Sequence, residues 1–286
     1  MLPPESPFGE LPPPLVVIGM HRSGTSVVAG MLGALGVYMG PGLRIPTEAD
    51  PASLQERLRT EGYGEALAFV RVNEALLAAA EADWCRVEPL LQRRDTPELA
   101  ARAEALIASA LSGPLRRDYL QPELESARRA WGWKDPRTTL TLPYWLRFFP
   151  HARVLHVRRE AEAVVRSLTR RSGGAGAAGA PLPSGERLRW WLSHPGEALR
   201  RAGSKLGLAP LSPPPSNPST DPNYARALWE RYVTEAERFR EHPGGYLELR
   251  FEELRADPLA AARALARYAA SEAGEEEILR AASLVR

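Results

Sequence analysis

Eight residues, Gly19-Met-His-Arg-Ser-Gly-Thr-Ser26, lie between Leu15-Val-Val-Ile18 and an apolar pattern of helical spacing that runs from Thr25 to Leu35. This junction restricts the fold more than any other part of the chain. Four apolar residues, three of them β-branched and bounded by Pro14 and Gly19, suit a buried parallel strand, and Gly36 supplies a C-cap for the helix. Strand, glycine-bearing turn and helix in succession open an α/β unit whose right-handed crossovers build a parallel sheet. In such a turn the backbone N–H groups point toward an anion, and the helix N-terminus adds its partial positive charge.

The spacing Gly19, four residues, Gly24 is that of a Walker A loop, but Thr25 stands where that loop requires lysine. A nucleoside triphosphatase would lose the cation that bridges its outer phosphates. Here the cation lies inside the loop, at Arg22. Its forked guanidinium suits a ligand with one 5′-phosphate and a second anionic group better than a triphosphate. The competing reading is a tight turn without a ligand.

Two more segments carry cations at strand ends. Residues 153–157 predict a strand and 160–171 a helix, joined through Arg158 and Arg159 with no glycine loop. A Walker-type hydrolase would end a comparable strand in a Mg²⁺-binding Asp. Ser167, eight residues after Arg159, falls two helical turns along on the side of the strand end. Arg158 reads as a solvated neighbour. The third segment, Trp131-Gly-Trp-Lys-Asp-Pro-Arg-Thr138, puts Lys134 after a strand expected near 130–133. Only one other lysine, Lys205, occurs among the 37 basic residues.

The remaining pattern predicts helices over 52–82, 97–111, 140–149 and 224–241, a strand over 246–249, and two terminal helices. Residues 1–14 are a Pro-rich lead-in. Residues 172–185 and 209–223 read as Gly-, Pro- and Ser-rich loops around a helix with Trp190 and Trp191, so 172–222 reads as an insertion that closes over an acceptor. The expected architecture is a P-loop-type three-layer α/β sandwich, a central parallel sheet flanked by helices, in a single domain over 15–286.

A net charge of +2 argues against partners held by bulk electrostatics, nucleic acid above all. The lone Cys85 excludes an internal disulfide and multi-cysteine metal sites, and reads as a small buried residue. The five histidines are not at ligand spacing, so no metal is expected. A basic start for a signal peptide is lacking, as is an apolar run of roughly 18 residues for a membrane span. The expected location is cytoplasmic.

The loop resembles the 5′-phosphosulfate loop of sulfotransferases that use 3′-phosphoadenosine 5′-phosphosulfate (PAPS), in the bacterial branch that reads Gly-Met-His-Arg-Ser-Gly-Thr-Ser. By that resemblance Arg22, Ser23, Gly24, Thr25 and Ser26 hold the donor's 5′ end. Arg159 and Ser167 hold its 3′-phosphate, and Lys134 meets the bridging oxygen of the leaving phosphate. Arg250-Phe-Glu-Glu-Leu254 resembles the family's Arg-Tyr-Glu-Asp-Leu signature, read as a structural strand-to-helix junction. Transfer to a hydroxyl needs a proton acceptor. The resemblance points to Glu65 in Gly62-Tyr-Gly-Glu65, although Gly64 stands where an aromatic is usual. His21 is the second candidate, with Asp135 and Glu61 behind it.

The implied function is transfer of a sulfuryl group from PAPS to a hydroxyl on a small-molecule or carbohydrate acceptor. The alternatives are a small-molecule or nucleotide kinase of the same architecture, and a non-catalytic nucleotide-binding module. No sequence signal names the acceptor or an oligomeric state.

Overall fold

A computed structural model describes residues 11–41, 66–119, 130–173 and 217–285. Four strands, β1 (Leu15–Ile18), β2 (Gly132–Lys134), β3 (Arg153–Arg158) and β4 (Tyr246–Arg250), form one sheet in the order β2-β1-β3-β4. All three pairings are parallel, with Val17 opposite Lys134 on one side of β1 and Ile18 opposite His156 on the other. A side chain on Gly132 would collide with the Leu15 carbonyl, so β1 and β2 approach closely only because Gly132 has none.

The helices are α1 (Thr25–Ala34), α2 (Leu67–Ala79), α3 (Glu88–Arg93), α4 (Pro97–Ser112), α5 (Pro114–Tyr119), α6 (Thr138–Trp145), α7 (Ala161–Gly173), α8 (Pro222–Glu237), α9 (Phe251–Ala256), α10 (Pro258–Ala269) and α11 (Glu275–Ser283). Three of them start by one device. Thr96, Asp221 and Asp257 accept a backbone N–H from the first turn, with proline next in sequence.

Alternation along the strands divides the core into two. Val16, Ile18, Trp133 and Val154 face helices α2, α4, α6 and α8. Leu15, Val17, Leu155 and Val157 face α1, α10 and α11. The result is the expected three-layer α/β sandwich with a central parallel sheet. The first core holds an aromatic nest in which Phe69 stacks on Trp133 at 4.2 Å and 9°. The indole N–H groups are satisfied there: Trp145 donates to Asn73 Oδ1 (2.8 Å) and Trp133 to Thr138 Oγ1 (3.2 Å).

Several elements differ from the sequence reading. The helix expected over 140–149 begins at Thr138 and ends at Trp145, because Asp135 organises the preceding turn, its carboxylate accepting from Arg137 N and its carbonyl from Thr138 N. The strand expected at 130–133 lies at Gly132–Lys134, and Trp131 only bridges to Tyr38. Helix α8 starts at Pro222 and ends at Glu237, four residues short of the expected end. Three terminal helices replace two, since Asp257 leaves the helical conformation and Pro258 restarts the helix. The six-residue α3 and α5 were not anticipated. The lead-in up to residue 10, the expected helix over 52–65 and residues 174–216 of the insertion lie outside the described residues.

Candidate active site

The chain leaves β1 through Gly19 at φ +139°, passing so close to β3 that a side chain there would strike the Val157 carbonyl. Two further residues take left-handed conformations, Arg22 at φ +72° and Gly24 at φ +98°. The loop is braced from within by Ser23, whose N–H (3.1 Å) and hydroxyl (2.6 Å) both donate to the Met20 carbonyl. It is braced from α6 by Thr139, whose Oγ1 accepts from Gly19 N at 2.9 Å. Ser23 and Thr25 are buried, Ser26 half-buried and Arg22 exposed. A side chain on Gly24 would overlap the Phe251 ring. The loop's shape is therefore set by tertiary contacts as well as by its glycines.

Lys134, the last residue of β2, is 3% exposed and donates from Nζ to Ser26 Oγ at 3.3 Å. The parallel register beside Val17 brings this ammonium to the mouth of the loop. Asp135, a trailing candidate for the base, has a fully buried carboxylate that accepts from Asn73 Nδ2 (2.9 Å) and from Arg137 N and Nη1 (3.1 and 3.0 Å). That makes it a positioning group for the turn after Lys134. Asn73 also donates to Thr138 Oγ1 (2.9 Å), and its carbonyl accepts from Thr141 and Trp145, so α2 and α6 are locked together behind Lys134.

At the end of β3 the two arginines part. Arg158 pairs with Glu237 (3.0 Å) and Glu248 (3.7 Å) and lies 5.6 Å from the Trp229 ring centroid. It is an ion-paired structural group, in place of the expected solvated neighbour. Arg159 turns the other way: its Nη1 donates to the Arg22 carbonyl (3.2 Å) and its guanidinium lies 4.8 Å from the Phe251 centroid. Burial pushes the Arg159 pKa below its ordinary value, and Arg255, Arg166 and Arg170 push the same way against Glu252. Ser167 Oγ accepts from Arg22 Nε at 2.9 Å. Arg22, Arg159 and Ser167 therefore form one cluster, whereas sequence spacing related only the last two.

His21 packs its ring 4.6 Å from Trp84 and 6.3 Å from Tyr232. Cys85 is buried, and its thiol is pushed up to about 12, first by burial and then by Asp83, which makes it an inert packing residue. Glu65 and Glu61 lie outside the described residues. Among the described residues no group of three or more His, Cys, Asp or Glu side chains is placed to hold a metal ion, and no helix is long and apolar enough to cross a membrane. Sequence reasoning missed Asn73 and Thr139, single polar residues whose partners are far away in the chain. It noticed Phe251 only as part of a structural junction.

No curated protein sequence matches the chain. Among solved structures, the sulfotransferase STF9 of Mycobacterium avium is similar in fold, with a TM-score of 0.52 at 16% identity over 97% of this chain and 69% of its own. The sulfotransferase STF1 of Mycobacterium tuberculosis gives 0.49 at 15% identity over 96% and 71%. The model of the sulfotransferase family matches residues 13–192, a span that includes the loop after β1, Lys134, Arg159 and Ser167, and the chain belongs to that family.

Proposed function

We propose that the chain transfers a sulfuryl group from PAPS to a hydroxyl of a small-molecule or carbohydrate acceptor. One observation carries the reading. Three adjacent strand ends deliver an anion loop, a buried ammonium beside Ser26, and a cluster of Arg22, Arg159 and Ser167, all on the carboxyl edge of one sheet. That layout suits a nucleotide with anionic groups at both its 5′ and 3′ positions.

In this reading Arg22, Ser23, Gly24, Thr25 and Ser26 cradle the 5′-phosphosulfate, and Arg159 with Ser167 takes the 3′-phosphate. The acceptor oxygen attacks sulfur while its proton passes to Glu65. The bond between sulfur and the bridging oxygen breaks, and the 3′,5′-bisphosphate leaves with new negative charge on that oxygen. Lys134 stabilises that charge, an interaction that grows as the bond breaks. Support for Glu65 comes from its sequence context, and from the lodging of His21 between aromatic rings, which suits a packing role.

Isothermal titration with adenosine 3′,5′-bisphosphate tests the reading against the kinase alternative. We expect the bisphosphate to bind more tightly than ATP with Mg²⁺, and Arg159→Ala to lose bisphosphate affinity by about 10- to 100-fold, as a charge-assisted contact requires. Turnover of labelled PAPS with a panel of hydroxyl acceptors then separates an enzyme from a binding module. Preference for ATP with Mg²⁺ overturns the proposal.

A further inference from the structure

A single stretch of chain touches the phosphate loop at both of its ends. Lys134 closes β2 and reaches Ser26 at the far end of the loop, where Nζ donates to Oγ at 3.3 Å. Thr139, in the first turn of α6, reaches Gly19 at the near end. Its hydroxyl meets that glycine twice: Oγ1 accepts from Gly19 N at 2.9 Å and donates to the Gly19 carbonyl at 3.3 Å. Both residues are buried, Thr139 completely. β2 ends opposite Val17, before Gly19 is reached, and Gly19 bonds to the α6 side chain instead.

Gly19 has to be glycine, because its φ is +139° and a side chain would strike the Val157 carbonyl. The same freedom removes the steric preference that would fix the peptide planes on either side of it. We propose that Thr139 is a positioning residue for the donor's 5′-phosphate: its hydroxyl fixes the peptide groups of Gly19, and so the direction in which the loop sets out, without touching the nucleotide itself. The inference rests on the PAPS reading above, in which residues 22–26 hold the donor's 5′ end. Thr139→Val would leave a buried N–H and a buried carbonyl without partners, and the glycine backbone would turn to find others. The N–H groups farther along the loop would then lose their aim at the phosphate. Thr139→Ser would keep both bonds. The proposed 3′ site, built from Arg159 after β3 and Ser167 on α7, depends on Gly19 far less.

Titration with three ligands separates this role from a purely structural one: adenosine 3′,5′-bisphosphate, adenosine 5′-monophosphate and adenosine 3′-monophosphate. A loss of stability alone would not distinguish among them. We expect Thr139→Val to weaken the two ligands that carry a 5′-phosphate by about 10-fold, and the 3′-monophosphate by less than about threefold. Thr139→Ser should stay within about threefold of wild type for all three. If Thr139→Val does not fold, Thr139→Cys replaces it, since a thiol hydrogen-bonds only weakly, with the same selective loss expected. Equal losses for all three ligands, no loss for any, or Thr139→Ser as impaired as Thr139→Val, overturn the inference and leave the donor reading standing. A wild-type protein that binds the bisphosphate no more tightly than either monophosphate overturns the donor reading, and the assignment of Thr139 to the donor's phosphate with it.

Discussion

Lys134 Nζ and Ser26 Oγ stand 3.3 Å apart although 108 positions separate them in the chain. The contact joins the end of β2 to the first turn of α1, and it follows from the parallel pairing of Val17 with Lys134. The ammonium is held in place before any donor arrives. Its pre-positioning makes Lys134→Ala a kinetic lesion: kcat should fall by about 10²- to 10³-fold with donor affinity comparatively intact. Steady-state kinetics together with titration of the bisphosphate separate the two quantities. A variant with only a raised donor Kd would assign Lys134 to ground-state binding.

The proton acceptor can be assigned by two matched variants. Glu65→Gln keeps size and removes basicity, so turnover should drop by about 10²- to 10⁴-fold with bisphosphate binding retained. His21→Asn should keep most of the turnover, because its ring is engaged with Trp84 and Tyr232. A reversal of these outcomes moves the role to His21.

The parts of the site that could be read in the sequence are those encoded by adjacent residues. The glycine loop, the apolar run of β1 and the Arg159–Ser167 spacing each lie within one strand–turn–helix unit, and local periodicity reports such units directly. Arg22 and Ser167 meet across 145 positions, so nothing local pairs them. Asn73 looks like an ordinary helix residue until α6 supplies its partners. The short α3 and α5 were missed for a related reason: six residues are too few to show a 3.6-residue period, and α5 is sustained by packing on α2 and α4, α3 by Leu90 in the first core.

Asn73 connects stability to the site. Its amide satisfies Asp135, Thr138, Thr141 and Trp145 at once, all of them buried. Asn73→Leu strands these groups and should cost at least about 2 kcal/mol in urea unfolding. Because Asp135 follows Lys134 directly, kcat should fall as well. A variant with wild-type stability would show that water can replace the amide.

His156 makes stability depend on pH. It is buried in β3, with Nδ1 2.7 Å from the Tyr246 hydroxyl, and its pKa falls from 6.5 to about 3, first through burial and then through Arg158 and Arg240. Below pH 6.5 the unfolded chain takes up the proton while the folded chain refuses it. The contribution of His156 is therefore complete above pH 6.5 and is lost progressively as pH falls toward 3. The melting temperature should decline between pH 7 and pH 5, and His156→Gln, which cannot titrate, should flatten that decline. An unchanged slope in the variant would place the dependence on other groups.

The order β2-β1-β3-β4 also bears on how such a protein can diversify. The groups proposed to bind the donor sit at the ends of β2, β1 and β3, three neighbours in one hydrogen-bonded ladder. Sliding any of them by one residue would turn its apolar side chains from one core to the other. Mutation therefore cannot shift these positions in small steps, whereas segments outside the ladder can change length and composition at little energetic cost. On the proposed reading, descendants of this chain could acquire new acceptors repeatedly and still inherit an unaltered donor specificity.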